Sequence, residues 1–203
     1  MKNELPYFYI GDSYGGQQEW FTEYMMRIGG CAAVTACDSS IYFELYKNIH
    51  GLYPKNFNHV TKEDYIKFSD VMKPYLHPRW QGIDKLSIYV EGFEKFLRDR
   101  GENNLKILSW SGENDLDATH YILKKQIDEG WLIPCLVLNH SNPILEDYVW
   151  HWFLLTGYEK TENGEWFVKV VSYGIARWFS FDLIWNTGFP RKGGLIIFRR
   201  DEE

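Results

Sequence analysis

The chain has few cysteines, no long apolar stretch and no excess of basic residues, and each absence excludes a class of protein. Three cysteines, Cys31, Cys37 and Cys135, cannot all pair, so free thiols in a reducing compartment are expected. They also lack the close spacing, with histidine nearby, that a structural zinc site shows. No apolar run approaches the roughly 18 residues needed to cross a bilayer. The polar N-terminus also lacks the apolar core of a signal peptide, so a cytoplasmic protein without a membrane partner is expected.

The charge balance argues against nucleic acid as a partner. The chain carries 22 Lys and Arg against 28 Asp and Glu, a formal net charge of -6, and its basic residues are scattered. What the sequence has in excess is aromatic residues, with 9 Trp, 14 Tyr and 13 Phe among 203 residues. This richness excludes disorder and predicts wide aromatic packing or an aromatic-lined groove in a single domain.

Hydrophobic periodicity divides the chain near residue 104. Helices are predicted at about 17–27, 31–48, 62–75 and 83–100, and another at 115–129. Strands are predicted at about 105–110, 131–138, 149–158, 165–172, 177–181 and 194–199. Helices crowd the first half and strands the second, which predicts an α+β fold. We expect one domain, residues 1–203, with a mainly helical lobe at 1–103 and a mainly β lobe at 104–203.

Two glycines followed by small residues mark the start of one helix. Gly29 and Gly30 precede Cys31 and the run Ala-Ala-Val-Thr-Ala. Glycine allows a tight turn, and small residues suit a helix packed closely against its neighbours. A thiol in the first turn lies at the positive end of the helix dipole, which is expected to lower its pKa and favour the thiolate. The position suits a nucleophile, although cysteine among small residues is also typical of plain core, as we expect for Cys37 and Cys135.

A cysteine nucleophile needs a base within hydrogen-bond reach, and His151 is the candidate among six histidines. It begins the strongest predicted strand, which runs to Thr156, Gly157 and Tyr158. A rigid strand holds such a base in a fixed orientation. The alternative is a core histidine satisfied by a neighbouring polar group.

The order of these features resembles that of the papain-like cysteine peptidases. The shared features are Gly-Cys at a helix start, an upstream glutamine, a helix ending at Glu129 and Gly130 before an apolar strand, and then His151 leading a strand. Within that superfamily the chain is similar to the bacterial branch that includes the bacteriocin-leader (double-glycine) peptidases. The resemblance covers residues 15–45 and 115–190, about half of the chain, whereas 50–100 carry no recognisable motif.

The resemblance implies a papain-like fold and a role for each of four residues. Cys31 attacks a carbonyl, and His151 accepts and returns the proton. A glutamine side chain, from Gln17 or Gln18, helps to hold the oxyanion together with the backbone N–H of Cys31. Both glutamines lie further from the cysteine than is usual in the family, so an extra turn or short helix must intervene. No cofactor and no metal is expected.

The third member of the site has two candidates. In the family an Asn or Asp on the next strand orients the histidine. If 159–164 form the hairpin loop, Tyr158 pairs with Glu165 and His151 lies opposite Ser172, which offers a hydroxyl without charge. Asp182, a little beyond, is the other candidate.

These residues predict a cysteine hydrolase that cleaves a peptide or amide bond through a thioester acyl-enzyme. Transfer of the acyl group to an amine would use the same pair of residues. The alternative is a binding or scaffold protein that kept Cys31 and His151 but lost turnover. The sequence leaves the substrate, the oligomeric state and the role of residues 50–100 open.

Overall fold

A seven-stranded antiparallel sheet forms the framework of the molecule. The structure is a computed structural model that describes residues 1–80 and 82–200. Six strands follow one another in the order β4-β9-β5-β6-β7-β8, and β1 pairs with β6 beyond the end of β5. These strands are β1 Lys2–Glu4, β4 Leu105–Ser111, β5 Ile133–Val137, β6 His151–Lys160, β7 Trp166–Ser172, β8 Ile175–Ser180 and β9 Gly194–Arg200. Two short strands, β2 Tyr9–Ile10 and β3 Ser13–Tyr14, form a separate hairpin.

The helices come mostly from the first half of the chain, which confirms the predicted α+β class. They are α1 Tyr24–Gly29, α2 Cys31–Tyr46, α3 Lys62–Met72, α4 Leu86–Asp99, α5 Leu116–Asp128 and α6 Phe181–Trp185, with 3-10 turns at Gln18–Trp20 and Pro143–Tyr148. The continuous helix predicted at 17–27 is wrong: a 3-10 turn and α1 share that stretch. An extended segment separates them, in which the carboxylate of Glu23 caps α1 by accepting the N–H of Met26.

Strand β6 is the centre of the sheet. It pairs with β5 and then β1 along one edge and with β7 along the other. All of its residues from His151 to Tyr158 are buried, as expected for a strand covered on both faces. Trp152 stacks on Tyr89 of α4, and its indole N–H donates to the carbonyl of Ile83. The start of β6 is therefore held on a rigid support.

Helix α2 packs against β6 through residues without bulk. Ala32, Ala33 and Ala36 have no exposed surface, so the helix lies close to its neighbours. Almost every other position of α2 is buried too, as is typical of a helix surrounded by protein. Buried apolar residues of both halves of the chain form one core.

The predicted pairing of β6 with β7 is wrong. Tyr158 pairs with Val168 instead of Glu165, because β6 runs two residues further than expected, to Lys160, whereas β7 begins one residue later, at Trp166, and these two residues pair. A bulge between Leu155 and Gly157 then shifts the ladder back by one residue, which leaves it still out of the predicted register. Sequence patterns reveal neither feature.

Candidate functional site

Cys31 is the first residue of α2, and Gly30 alone separates it from α1. A Cβ on Gly30 would lie 2.2 Å from the carbonyl oxygen of Met26 and 3.1 Å from the ring of Phe21. Only glycine fits there, because the backbone of the two helices meets without a gap. This junction fixes Cys31 at the N-terminal end of α2, as the sequence predicted.

Burial dominates the electrostatics of the thiol. Cys31 is 6% exposed, and burial raises its pKa above the ordinary value. Backbone hydrogen bonds from Trp152, Ala32 and Cys31 itself act in the opposite direction and favour the thiolate. The expectation that the helix start lowers the pKa of Cys31 is therefore wrong in its net effect, since desolvation outweighs the backbone donors.

His151 lines the same two cavities as Cys31, and the next residue along β6, Trp152, supplies one of the backbone N–H groups that act on the thiol. The imidazole is 7% exposed, and its Nε2 lies 2.7 Å from the Oγ of Ser172. Burial lowers its pKa from 6.5 to about 4. At neutral pH the site therefore holds a thiol and an uncharged imidazole.

The two candidates for the third member have different partners. Ser172 contacts His151 although its predicted register is wrong, because both residues lie at the same end of the β6–β7 pair. Asp182 instead lies 2.8 Å, through its Oδ1, from the Nε2 of His120 on α5. It does not line the cavities that contain Cys31.

Tyr173 is a site residue that the sequence reasoning missed. It forms the two-residue turn between β7 and β8 together with Gly174, and both have a positive φ, 53° and 72°. Its ring stacks on His151 with a centroid distance of 4.7 Å and an interplanar angle of 2°. Its hydroxyl donates to the carbonyl of Asp147. The Tyr-Gly pair between two strand patterns was the available turn signal.

Cys31 and His151 line an open groove of about 420 Å³. Its walls are largely apolar and aromatic, with Trp80 93% exposed and Trp150 41% exposed. The other lining side chains are Gln18, Met25, Ile28, Arg79, Val149 and Tyr173. A solute in this groove can reach the thiol and the imidazole from one side.

The two glutamines lie in different places. Gln18 lines the open groove with Cys31, whereas Gln17 lines only a smaller cavity beneath it. The amide of Gln17 donates to Ser13 Oγ at 2.9 Å. That of Gln18 makes a long contact of 3.4 Å to the carbonyl of Ile28, and its Oε1 is buried without a partner. Of the two glutamines, Gln18 therefore has the longer amide hydrogen bond and is the one that lines the groove.

The other two thiols are remote from this groove. Cys37 has no exposed surface and Cys135 is 1% exposed, and burial raises the pKa of both well above the ordinary value.

The chain matches no protein-family model, no curated protein and no solved structure. The likeness to papain-like peptidases thus rests on the residues of this chain alone. Within residues 1–80 and 82–200 there is no group of three His, Cys, Asp or Glu side chains that could hold a metal ion. In the same part of the chain, no helix is long and apolar enough to span a bilayer.

Proposed function

We propose that the protein is a cysteine hydrolase of papain-like type that cleaves a peptide or amide bond, with Cys31 as nucleophile and His151 as base and acid. One observation carries this proposal: a thiol at a helix start and an imidazole at a strand start line one open groove, with Ser172 on the imidazole. Because Nε2 is taken by Ser172, Nδ1 is the ring nitrogen left for the thiol.

The reaction proceeds through a thioester. As the sulfur of Cys31 attacks the carbonyl carbon, His151 takes the thiol proton and the C–S bond forms. The imidazolium then gives this proton to the amine as the C–N bond breaks. Water attacks the thioester while His151 accepts its proton, and breakage of the C–S bond restores the thiol. An amine in place of water would give acyl transfer by the same steps.

The oxyanion needs donors that are already in place. Helix α2 offers the backbone N–H of Cys31 at its first position, and the amide of Gln18 lines the same groove. Loss of one such donor from an acyl-transfer site costs about 100-fold to 1,000-fold in rate.

The experiment is to trap the acyl-enzyme. The protein is incubated with p-nitrophenyl acetate, and peptide mass spectrometry locates any acetyl group. We expect acetylation of Cys31, a loss of at least about 100-fold in His151→Ala, and no change in Cys37→Ala, which alters a buried thiol on the same helix. Acetylation that ignores the His151 substitution would contradict the proposal.

The second candidate is a binding protein that has lost turnover, and two observations favour it. The thiol and the imidazole are both uncharged at neutral pH. An aromatic ring, Tyr173, also covers one face of the imidazole. This candidate requires that Cys31 is neither acetylated nor alkylated by iodoacetamide faster than Cys37. The two experiments thus separate the candidates.

A further inference from the structure

A buried carboxyl group lies beneath the site and has no part in the mechanism above. Asp38 is 2% exposed and lies two turns along α2 from Cys31, on the same side of the helix. Asp38, Thr35 and Cys31 line the smaller cavity together with Gln17 and Gln18. The carboxyl group therefore sits below the segment that carries the glutamines.

Three uncharged donors hold this carboxyl group. Both of its oxygens lie 3.1 Å from the backbone N of Gly16. The hydroxyl of Tyr65 donates to Oδ1 and that of Tyr7 to Oδ2, each at 2.8 Å. Burial raises the pKa of Asp38 to about 6, although these three donors act to lower it.

The other titratable groups near Asp38 stay neutral. Tyr7 and Tyr65 touch it, and Cys37 and Tyr89 respond to its charge. Burial raises the pKa of all four well above the ordinary values. No cation among the described residues shifts the pKa of Asp38. Near neutral pH, the carboxyl group is thus the one member of this cluster that can change its charge.

Gly15 and Gly16, which precede the glutamines, pack against this cluster so closely that neither position has room for a side chain. We call residues 13–18 the glutamine loop. A Cβ on Gly15 would lie 2.5 Å from Asp38 Oδ2, and one on Gly16 would lie 2.0 Å from the ring of Tyr65. Close approach of the backbone to the carboxyl group thus requires both glycines.

The glutamine loop also touches the histidine side of the site. The N–H of Tyr14 donates to the carbonyl of Gly174, the residue after Tyr173. Gln18 at the end of the loop lines the groove of Cys31 and His151. The loop therefore joins the carboxyl group on α2 to the turn beside the imidazole.

We infer that Asp38 is the positioning residue of the glutamine loop: its carboxylate holds the N–H of Gly16 and thereby places Gln18 beside Cys31, and protonation of the carboxylate releases the loop. The reason is that a hydrogen bond to a charged acceptor is about twice as strong as a neutral one. The N–H of Gly16 acts to lower the pKa of Asp38, so protonation weakens this contact, whereas burial raises the pKa and makes protonation favour the fold as a whole. Protonation also turns one oxygen into a donor that faces two hydroxyls and an N–H. The role of Gln18 in this inference rests on the proposed function.

Hydrogen exchange tests, without any substrate, whether Asp38 holds the glutamine loop. The protection of the amides of residues 13–18, corrected for intrinsic exchange, is measured by mass spectrometry between pH 5 and pH 8. We expect protection to fall as the pH drops through about 6 in the native protein. In Asp38→Asn it should be low and independent of pH.

Two tyrosine variants keep the test decisive if Asp38→Asn folds poorly. Tyr65→Phe removes a donor from the carboxylate, so the midpoint should move up by about 1 pH unit. Tyr46→Phe removes a hydroxyl on the same helix that bonds the carbonyl of Tyr7 and leaves Asp38 untouched, so its midpoint should not move. Equal protection in the native protein and Asp38→Asn at pH 8, or a midpoint that Tyr65→Phe leaves in place, overturns the inference.

Acetylation of Cys31 reports on the site separately. If the inference holds, p-nitrophenyl acetate acetylates Cys31 at least about 10-fold more slowly in Asp38→Asn than in the native protein at pH 7.5. In Tyr46→Phe the rate should equal that of the native protein. If the protection midpoint lies near pH 6 but Cys31 is not acetylated, Asp38 holds the glutamine loop and the proposed function is rejected. Acetylation that Asp38→Asn does not slow rejects the placement of Gln18 by Asp38.

Discussion

Burial sets the protonation state of both side chains in the proposed catalytic pair. The thiol of Cys31 has donors at a helix start, and yet desolvation raises its pKa. The imidazole of His151 has a hydroxyl partner, and yet desolvation lowers its pKa to about 4. In the proposed mechanism, the proton therefore moves from sulfur to imidazole during the reaction, because the resting protein holds both groups uncharged.

The first prediction concerns the titration of His151. Since its pKa in the folded protein is about 4, it stays uncharged from about pH 8 down to about pH 5. The stability it contributes is complete above the unfolded value of about 6.5 and is lost as the pH falls towards 4. Nitrogen NMR of the ring measures this directly, with the urea-unfolded chain as reference. Titration of His151 near 6.5 in the folded protein would contradict the prediction.

The second prediction concerns the partner of the imidazole. In Ser172→Asp a carboxylate replaces the hydroxyl that lies 2.7 Å from Nε2. An opposite charge at this distance favours the protonated ring, so the pKa of His151 should rise by at least about 1 unit. The same NMR titration measures it. Ser109→Asp, at an exposed position of β4, is the matched control and should leave the ring unchanged.

The connection between β3 and the first 3-10 turn is closely packed against two helices. The ring of Tyr65 in α3 leaves no room for a side chain on Gly16, and the carboxyl group of Asp38 leaves none on Gly15. Strand β3 next to it is only two residues long. Contacts with α2 and α3 therefore help to fix the conformation of this stretch, together with the bond from the Gln17 amide to Ser13 Oγ.

The third prediction follows from this contact. Gly16→Ala should lower the free energy of unfolding by at least about 2 kcal/mol, because its Cβ overlaps the ring of Tyr65. In a Tyr65→Leu background the same change should cost less. Denaturant unfolding measures both. Gly11→Ala is the comparison: with open space around its Cβ and a φ of 61°, it should cost only about 1 kcal/mol. Equal costs at the two glycines would refute the steric explanation.

Periodicity predicted the long elements well and the short ones poorly. Helix α2 and strands β4, β6 and β9 lie close to their predicted bounds. Helix α2 and strands β6 and β9 bury long continuous segments, and β4 begins with alternating buried and exposed residues. Strand β1 was missed, because Lys2–Glu4 is polar and owes its conformation to pairing with β6. Elements of two or three residues carry too few side chains to show a period.

At the scale of the whole molecule, local sequence located part of the candidate site. The glycines before Cys31 and the strand after His151 are local signals, so these two residues were found. The roles of Asp38 and Tyr173 arise from contacts between distant segments, such as the carboxyl of Asp38 with Tyr7 and Tyr65. Spacing along α2 shows only that Asp38 is too far from Cys31 for a direct bond.

The fourth prediction concerns the pH dependence of global stability. The pKa of Asp38 is about 6 in the folded protein and about 3.8 in the unfolded chain, so between these values the folded state binds more protons. Stability from this group therefore falls as the pH rises from about 4 to about 6 and is constant above. Between pH 4 and pH 7 the native protein should lose up to about 3 kcal/mol relative to Asp38→Asn. Urea unfolding of both proteins measures this, and a difference that does not vary with pH would count against a buried titrating carboxyl.

The contact of Gly16 with Tyr65 and Asp38 has a consequence for related sequences. Positions 16, 38 and 65 must vary together. The hydroxyl of Tyr65 donates to the carboxylate of Asp38, and the ring of the same tyrosine leaves no room for a side chain at position 16. A sequence that loses the acid at 38 is free to shrink residue 65 and to accept alanine or serine at 16. One that keeps the acid must keep the glycine. This covariation would mark homologues that share the arrangement even where their overall identity is low.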